Sequence, residues 1–275
     1  MEIGKIGLWG RTGSPLFDDV DALAEVEDLG ITAVWVGANP NPDLTTVEPV
    51  IARSKGLVVG TGIVNVWDAP PETAAEGYRR VADAHPDRLL LGIGVGHRPL
   101  VGDRYTKPYD KLVSYLDSLD EGGVPVEGRV LAALGPRVLA LAGERAAGAH
   151  PYYTTPEHTA QAREIIGPNK LLVPEQKVVL ETDPEVARRL ARETLEFYLA
   201  LPNYTNNWLR LGFTEADLAD GGSDRLVDTL TAWGDEEAIR ARVQAHLDAG
   251  ADQVIVQVLN EDTLATLRVL GPVLK

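Results

Sequence analysis

The sequence predicts a parallel (β/α)8 (TIM) barrel built as one domain over residues 1–275. Three observations predict it. Short apolar runs alternate with longer stretches of helical period, the pattern of repeated βαβ units. Several short runs are apolar at consecutive positions (Val34-Trp35-Val36, Leu89-Leu90-Leu91, Val254-Ile255-Val256), as strands covered on both faces are. Eight such runs fall within 275 residues, which favours a closed barrel over an open doubly wound sheet.

In chain order, the first strand is expected at 3–9, followed by a helix at 17–29 that Gly30 stops. The second strand, 33–37, leads into Ala38-Asn39-Pro40. The third, 57–66, contains Gly60-Thr61-Gly62-Ile63-Val64-Asn65-Val66 and precedes a helix at 72–84. The fourth, 89–95, passes through Gly92-Ile93-Gly94-Val95-Gly96 into His97-Arg98-Pro99, ahead of a helix at 108–120. The fifth, 130–134, meets Gly135-Pro136-Arg137, which opens another helix. The sixth strand is expected at 149–153 and the seventh at 178–181. Thr155-Pro156 and Asp183-Pro184 follow them, each placing a capping side chain before a first-turn proline. The eighth strand, 253–259, comes after a helix stopped by Gly250. Residues 202–235, rich in Asn, Gly and Asp, are read as extra helices and loops inserted into the same domain, with no linker and no second core.

Composition narrows the function. Lys and Arg total 26 and Asp and Glu 41, so the formal charge is −15. A broad basic face for nucleic acid is excluded on that balance, although a local arginine cluster for a small anion is not. The absence of cysteine removes disulfides, thiolate metal sites and a thiol nucleophile. No apolar run approaches the roughly 18 residues of a membrane span. The first ten residues read as a strand rather than a signal segment, so a soluble cytoplasmic protein is expected.

In such a barrel the chemistry sits where strands end. Gly92 reads as a packing position, whereas Gly94 and Gly96, nearer the mouth, read as places where a ligand approaches the backbone. The glycine run is not a dinucleotide fingerprint, since Arg98 stands where the third glycine belongs and Pro99 where a helix should begin. Gly135-Pro136-Arg137 has the makings of an anion site at a helix start, and a plain proline-started helix explains the same residues. Arg98, Arg104, Lys107 and Arg137 are expected to form a local cationic patch; singly, each reads as an ordinary surface cation. Of five histidines, His97 is the sharp candidate, because it follows glycine at the mouth and titrates near neutrality. His85 belongs to the opposite end, His246 is read as solvated, His158 sits in a first helical turn and His150 reads as a core residue. No spacing suits a metal site, and no GxSxG elbow occurs.

Taken together, residues 60–67 with Pro70-Pro71, residues 90–99, Lys107-Pro108-Tyr109, Ala149-His150-Pro151-Tyr152 and Thr155-Pro156-Glu157-His158 resemble luciferase-like oxidoreductases. With Leu201-Pro202-Asn203-Tyr204, Asn206-Asn207-Trp208 and Ser223-Asp224-Arg225-Leu226, they are most similar to the actinobacterial branch assigned to the deazaflavin coenzyme F420. The resemblance implies a barrel mouth holding F420, with FMN as the alternative, and hydride transfer to or from a small, apolar organic substrate. An FMN-dependent monooxygenase and a cofactor-binding barrel without turnover are the other readings. It also implies a non-proline cis peptide at Gly62–Ile63. His97, from its place at the mouth, is expected to be catalytic, and Gly62, Ile63, Asn65, Gly94, Val95, Gly96, Arg98, Gly135, Pro136, Arg137, Tyr152 and Thr154 are expected to hold the cofactor. Two departures stand out. The acid and histidine that dehydrogenases of this family carry after the second strand are replaced by Gly37-Ala38-Asn39-Pro40, and His97 takes the position of a glutamate. The large insertion after the fourth helix is absent, so the resemblance leaves the pocket open or completed by a partner, with a homodimer as the default.

Overall fold

A computed structural model describes residues 2–274. Its strands are β1 (Ile6–Arg11), β2 (Ala33–Gly37), β3 (Val58–Gly62), β4 (Val64–Asn65), β5 (Leu89–Gly94) and β6 (Arg129–Leu131). They continue with β7 (Gly148–Ala149), β8 (Leu171–Leu172), β9 (Glu175–Leu180), β10 (Thr231–Gly234) and β11 (Val254–Val258). Every pairing is parallel, in the order β10-β9-β11-β1-β2-β3-β5-β6-β7-β8, with β4 on β5. β8 and β9 are two halves of one stave, separated at Val173-Pro174 because proline brings no N–H to the ladder. Backbone bonds cross that break: Val173 N–H donates to Ala149, Glu175 N–H to Pro151, and Ile255 N–H to the carbonyl of Pro174. The ring therefore closes between β7 and β11, giving the eight staves expected from the sequence.

Two packed layers hold the barrel. Between sheet and helices lie alternate strand residues such as Val34, Val36, Leu89, Leu91 and Ile93 with helix residues such as Leu23, Val81 and Leu116. The lumen is filled by Trp9, Trp35, Leu90, Val130 and Ile255. Two glycines make room for the lumen indoles, since a Cβ at Gly37 would collide with Trp9 and one at Gly60 with Trp35.

Several expected boundaries move, each for a physical reason. The third strand is interrupted at Gly62–Ile63, whose peptide is cis. The sixth shrinks to Gly148–Ala149, because Pro151 cannot donate and Tyr153 adopts a left-handed φ of 55°. The seventh begins at Leu171, well before 178, since Glu175, Gln176 and Lys177 are polar yet fully buried in the barrel. The helix expected at 17–29 is two helices, Pro15–Asp18 and Val20–Asp28; Asp19 breaks the run and caps the second by accepting from Asp21 and Ala22 N–H. The insertion contains helices Pro202–Arg210, Glu215–Leu218 and Asp224–Leu230, and also a strand, β10. Its apolar residues Trp208, Leu226 and Leu230 form a cluster with Leu195 and Tyr153 from outside the insertion. Tyr152 packs against both this cluster and the lumen.

Candidate active site

Side chains alternate along a strand, so Trp9 and Arg11 share one face of β1. Both line a cavity of about 660 Å³ at the C-terminal mouth of the barrel. Gly62, Ile63, His150 and Tyr152 line it as well. Val95–His97 contribute from the loop after β5, Gly135 and Arg137 from the loop and helix start after β6, and Tyr198, Asn203, Tyr204 and Arg210 from helices beyond β9. The Trp9 Nε1 donor is buried without a partner. A Cβ at Gly62 would stand 3.3 Å from that nitrogen and 3.5 Å from His150 Nε2, so the glycine leaves open the space between two ring systems.

His97 is held by its neighbours rather than by its own hydrogen bonds. Gly96 takes a φ of 57° and its carbonyl accepts from Asn203 Nδ2 at 3.1 Å, while Trp67 Nε1 donates to the Val95 carbonyl at 2.8 Å. The imidazole packs 5.3 Å from the ring of Tyr204, and its Nδ1 is buried without a partner. Burial draws its pKa down to about 4, so the ring is neutral at physiological pH and presents one donor and one acceptor.

Beside it, beyond Tyr204, the tyrosines form a chain. Tyr198 OH donates to Tyr152 OH at 2.9 Å, and Tyr152 OH donates to Gln257 Oε1 at 2.7 Å. Beneath them lies a buried ion pair: Lys177 Nζ is 3.1 Å from both carboxylate oxygens of Glu175 and 3.9 and 3.7 Å from the ring centroids of Tyr152 and Tyr153. Burial raises Glu175 and lowers Lys177 to about 8; their mutual attraction opposes both shifts, and the lysine stays charged near neutrality. His150 Nδ1 bonds the Val173 carbonyl at 2.9 Å and its ring stacks on Trp35. It is both a satisfied core histidine and part of the cavity wall.

No Asp, Glu or Lys occurs among the described lining residues, whereas three arginines do: Arg11, Arg137 and Arg210. The Arg137 guanidinium lies 3.7 Å over the Tyr109 ring, and Arg210 bonds Asn207 Oδ1 at 3.0 Å. Both stand beside Gly135, which opens the helix Pro136–Arg145; Pro136 brings no N–H and Val138 N–H is bonded to the Gly135 carbonyl, which leaves the Arg137 N–H free in the first turn.

Of the residues expected at the site, the cavity gathers Gly62, Ile63, Asn65, Val95, Gly96, His97, Gly135, Arg137 and Tyr152. Gly94, Arg98, Pro136 and Thr154 do not line it. Gly94 is a packing position, since a Cβ there would press on Ala132 and Ile63 at 3.0 Å. Gly92 is one too, closed off by the Thr61 carbonyl. Thr154 is wholly buried, and Pro136 and Arg98 are exposed. The expected cationic patch is different in membership. Arg104 is tied to Asp68 and the Trp67 carbonyl, Arg98 and Lys107 are exposed beside the lip, and only Arg137 of the four reaches the cavity. A short helix, Arg98–Val101, does follow the glycine run, because Pro99 is tolerated in a first turn; the third glycine is still missing. His246 is not solvated: it is fully buried, bonded to Thr159 Oγ1 and Gln176 Oε1. Trp9, Arg11, Tyr198, Asn203, Tyr204 and Arg210 were not foreseen. The signal for the first two was the inward alternation of β1 carried two residues further; the others lie around a segment whose composition reads as loop.

The fit to a ring cofactor rests on this geometry. Its volume lies in the range of small-molecule sites, its walls carry seven Trp, Tyr and Phe rings, and two buried polar nitrogens, Trp9 Nε1 and His97 Nδ1, lack protein partners. Barrel and mouth together define a (β/α)8 barrel with a small-molecule cavity at its C-terminal mouth. Residues 3–122 match the family model for luciferase-like monooxygenases. No curated protein matches the chain in sequence. Among solved structures, an F420-dependent secondary alcohol dehydrogenase with an F420-acetone adduct is similar at 13% identity and a TM-score of 0.77, covering 100% of both chains. The F420-dependent tetrahydromethanopterin reductase of Methanopyrus kandleri is similar at 14% identity and 0.71, covering 98% of both. The FMN-bound oxygenating constituent of 3,6-diketocamphane monooxygenase from Pseudomonas putida is similar at 16% identity and 0.70, covering 100% of this chain and 98% of that one. Identities this low establish the fold. Among the described residues no group of His, Cys, Asp and Glu could hold a metal ion, and no helix is long and apolar enough to cross a membrane.

Proposed function

We propose that the chain is an oxidoreductase that binds coenzyme F420 in the mouth cavity and transfers hydride to or from a small organic substrate. One observation carries the reading: an aromatic cavity of about 660 Å³ has a cationic end at Gly135, Arg137 and Arg210 and no acidic lining residue, in a protein of charge −15. Such a cavity suits a flat ring with a phosphate arm. Gly62, Ile63, Asn65, Val95 and Gly96 would hold the ring and its polyol chain, and the Gly135 helix start with Arg137 the phosphate. When bound, the deazaflavin supplies a ring carbon that gives or takes hydride. Neutral His97 donates or accepts one hydrogen bond at the reacting centre. The aromatic rings of the wall exclude water, and the chain Tyr198–Tyr152–Gln257 fixes the wall beside Tyr204.

F420 is preferred to FMN because Arg98 and Lys107, at the lip, have no ion-pair partner among the described residues and suit the carboxylates F420 carries beyond its phosphate. Equilibrium titration with each cofactor tests this. We expect micromolar binding of F420 that exceeds binding of FMN. Tighter FMN binding with oxygen uptake would transfer the reading to a monooxygenase, and binding of neither would refute it.

A further inference from the structure

We infer that the cavity has a second anion pole, at Arg11, which selects apolar substrates bearing a carboxylate. The inference deepens the proposed function, from which it takes only the assignment of the opposite pole to the cofactor. Arg11 ends β1, and Gly135–Arg137 follow β6, the fifth stave. In an eight-stave ring, the first and fifth staves face each other across the mouth. One phosphate at Arg137 and Arg210 therefore leaves Arg11, exposed to solvent on the far rim, without an anion.

Arg11 differs from the other lining arginines in having no partner. Among the described residues it makes no ion pair, no side-chain hydrogen bond and no aromatic stacking contact, whereas Arg137 lies on Tyr109 and Arg210 bonds Asn207. The fold ties down most of its remaining arginines: Arg129, Arg145, Arg163, Arg188 and Arg192 all hold carboxylates. A guanidinium left free in a strongly acidic protein, at a cavity without a carboxylate, matches an anion that arrives with the ligand. Trp9 stands two residues earlier on the same strand face and joins this rim to the wall assigned to the ring. Its Nε1–H is more than nine-tenths buried, lines the cavity and has no acceptor. Trp9 Nε1 lies against Gly62 on the wall assigned to the ring, so Arg11 is the donor left at the rim for the substrate. Tyr198 stands close enough for the Arg11 charge to act on its hydroxyl. Phe197, half exposed at the rim, supplies apolar surface beside them. A carboxylate on an alkyl or aryl body fits this set.

Calorimetry on the F420-loaded and the cofactor-free protein tests the inference, with butanoate, hexanoate, octanoate and phenylacetate as probes, each against its primary amide. We expect at least one acid to bind roughly tenfold or more tighter than its amide, the size of one charge-assisted contact. Arg11→Gln should abolish that preference while leaving F420 affinity alone, and Arg137→Gln should weaken F420 while keeping the preference. Equal binding of acids and amides, binding of none of the acids, or a preference that survives Arg11→Gln would overturn it. Failure to bind F420 with the Arg11-dependent preference intact would instead remove the proposed function and leave the anion pole standing.

Discussion

His97 is the residue on which the proposed chemistry turns. Its imidazole is neutral and its Nδ1 unsatisfied, so it has a hydrogen bond to give or take that the protein does not use. His97→Ala should lower turnover by roughly a hundredfold, the usual scale of acid–base assistance. Cofactor affinity should change by much less. Steady-state kinetics beside a binding titration separates the two, and an unchanged rate would remove His97 from the reaction. The buried histidines also set acid stability. Burial lowers His97 and His150 from 6.5 to about 4, and His246 to about 3. Between pH 6.5 and 4 the unfolded chain therefore binds protons that the folded chain refuses. Stability is fully present above pH 6.5 and falls as pH drops, by about 1.4 kcal/mol per pH unit for each histidine. Urea unfolding across that range should show the decline, and His246→Gln should make it shallower. A flat profile would mean that these rings are not neutral in the fold.

At the scale of elements, the glycine-bearing staves do two different jobs. Gly92 leaves no room beside the Thr61 carbonyl, and Thr61 Oγ1 bonds both the N–H and the carbonyl of Gly92. Gly92→Ala should destabilise the barrel by about 1–3 kcal/mol, as overpacking does, read as a lower denaturation midpoint. Gly62 instead faces the cavity, so Gly62→Val should weaken cofactor binding at least tenfold while moving the midpoint little. Unimpaired binding would displace the ring from this wall. Most staves were legible because doubly covered strands are apolar throughout, as at Val34-Trp35-Val36. The start of the seventh was not, because Glu175 and Lys177 neutralise each other inside the barrel and so hide a strand behind a polar sequence. The cis peptide at Gly62–Ile63 stands where the family resemblance put it. The insertion escaped for a different reason: its helices are short, and their apolar residues meet Leu195 on the preceding helix and Tyr153, which is far away in sequence.

Across the whole molecule, the charge of −15 and the cavity free of acidic residues act in opposite senses. The surface repels anions in general and the mouth admits them in particular. Raising ionic strength should therefore weaken F420, with its several carboxylates, more than FMN, and the affinity ratio should fall. The general location of the site was legible, because barrel chemistry gathers at strand ends. The cationic members were not, since which of the many arginines are spent on ion pairs depends on packing that no local pattern records. Arg104, expected at the site, is held by Asp68, while Arg11, not expected there, is free.

A crystal structure of the protein with F420 bound tests the central claim most directly. The account predicts the ring against Gly62 and Ile63 with the phosphate at Gly135, Arg137 and Arg210, and Arg11 left uncovered. A phosphate seated on Arg11, or a ring bound outside the mouth cavity, would contradict it.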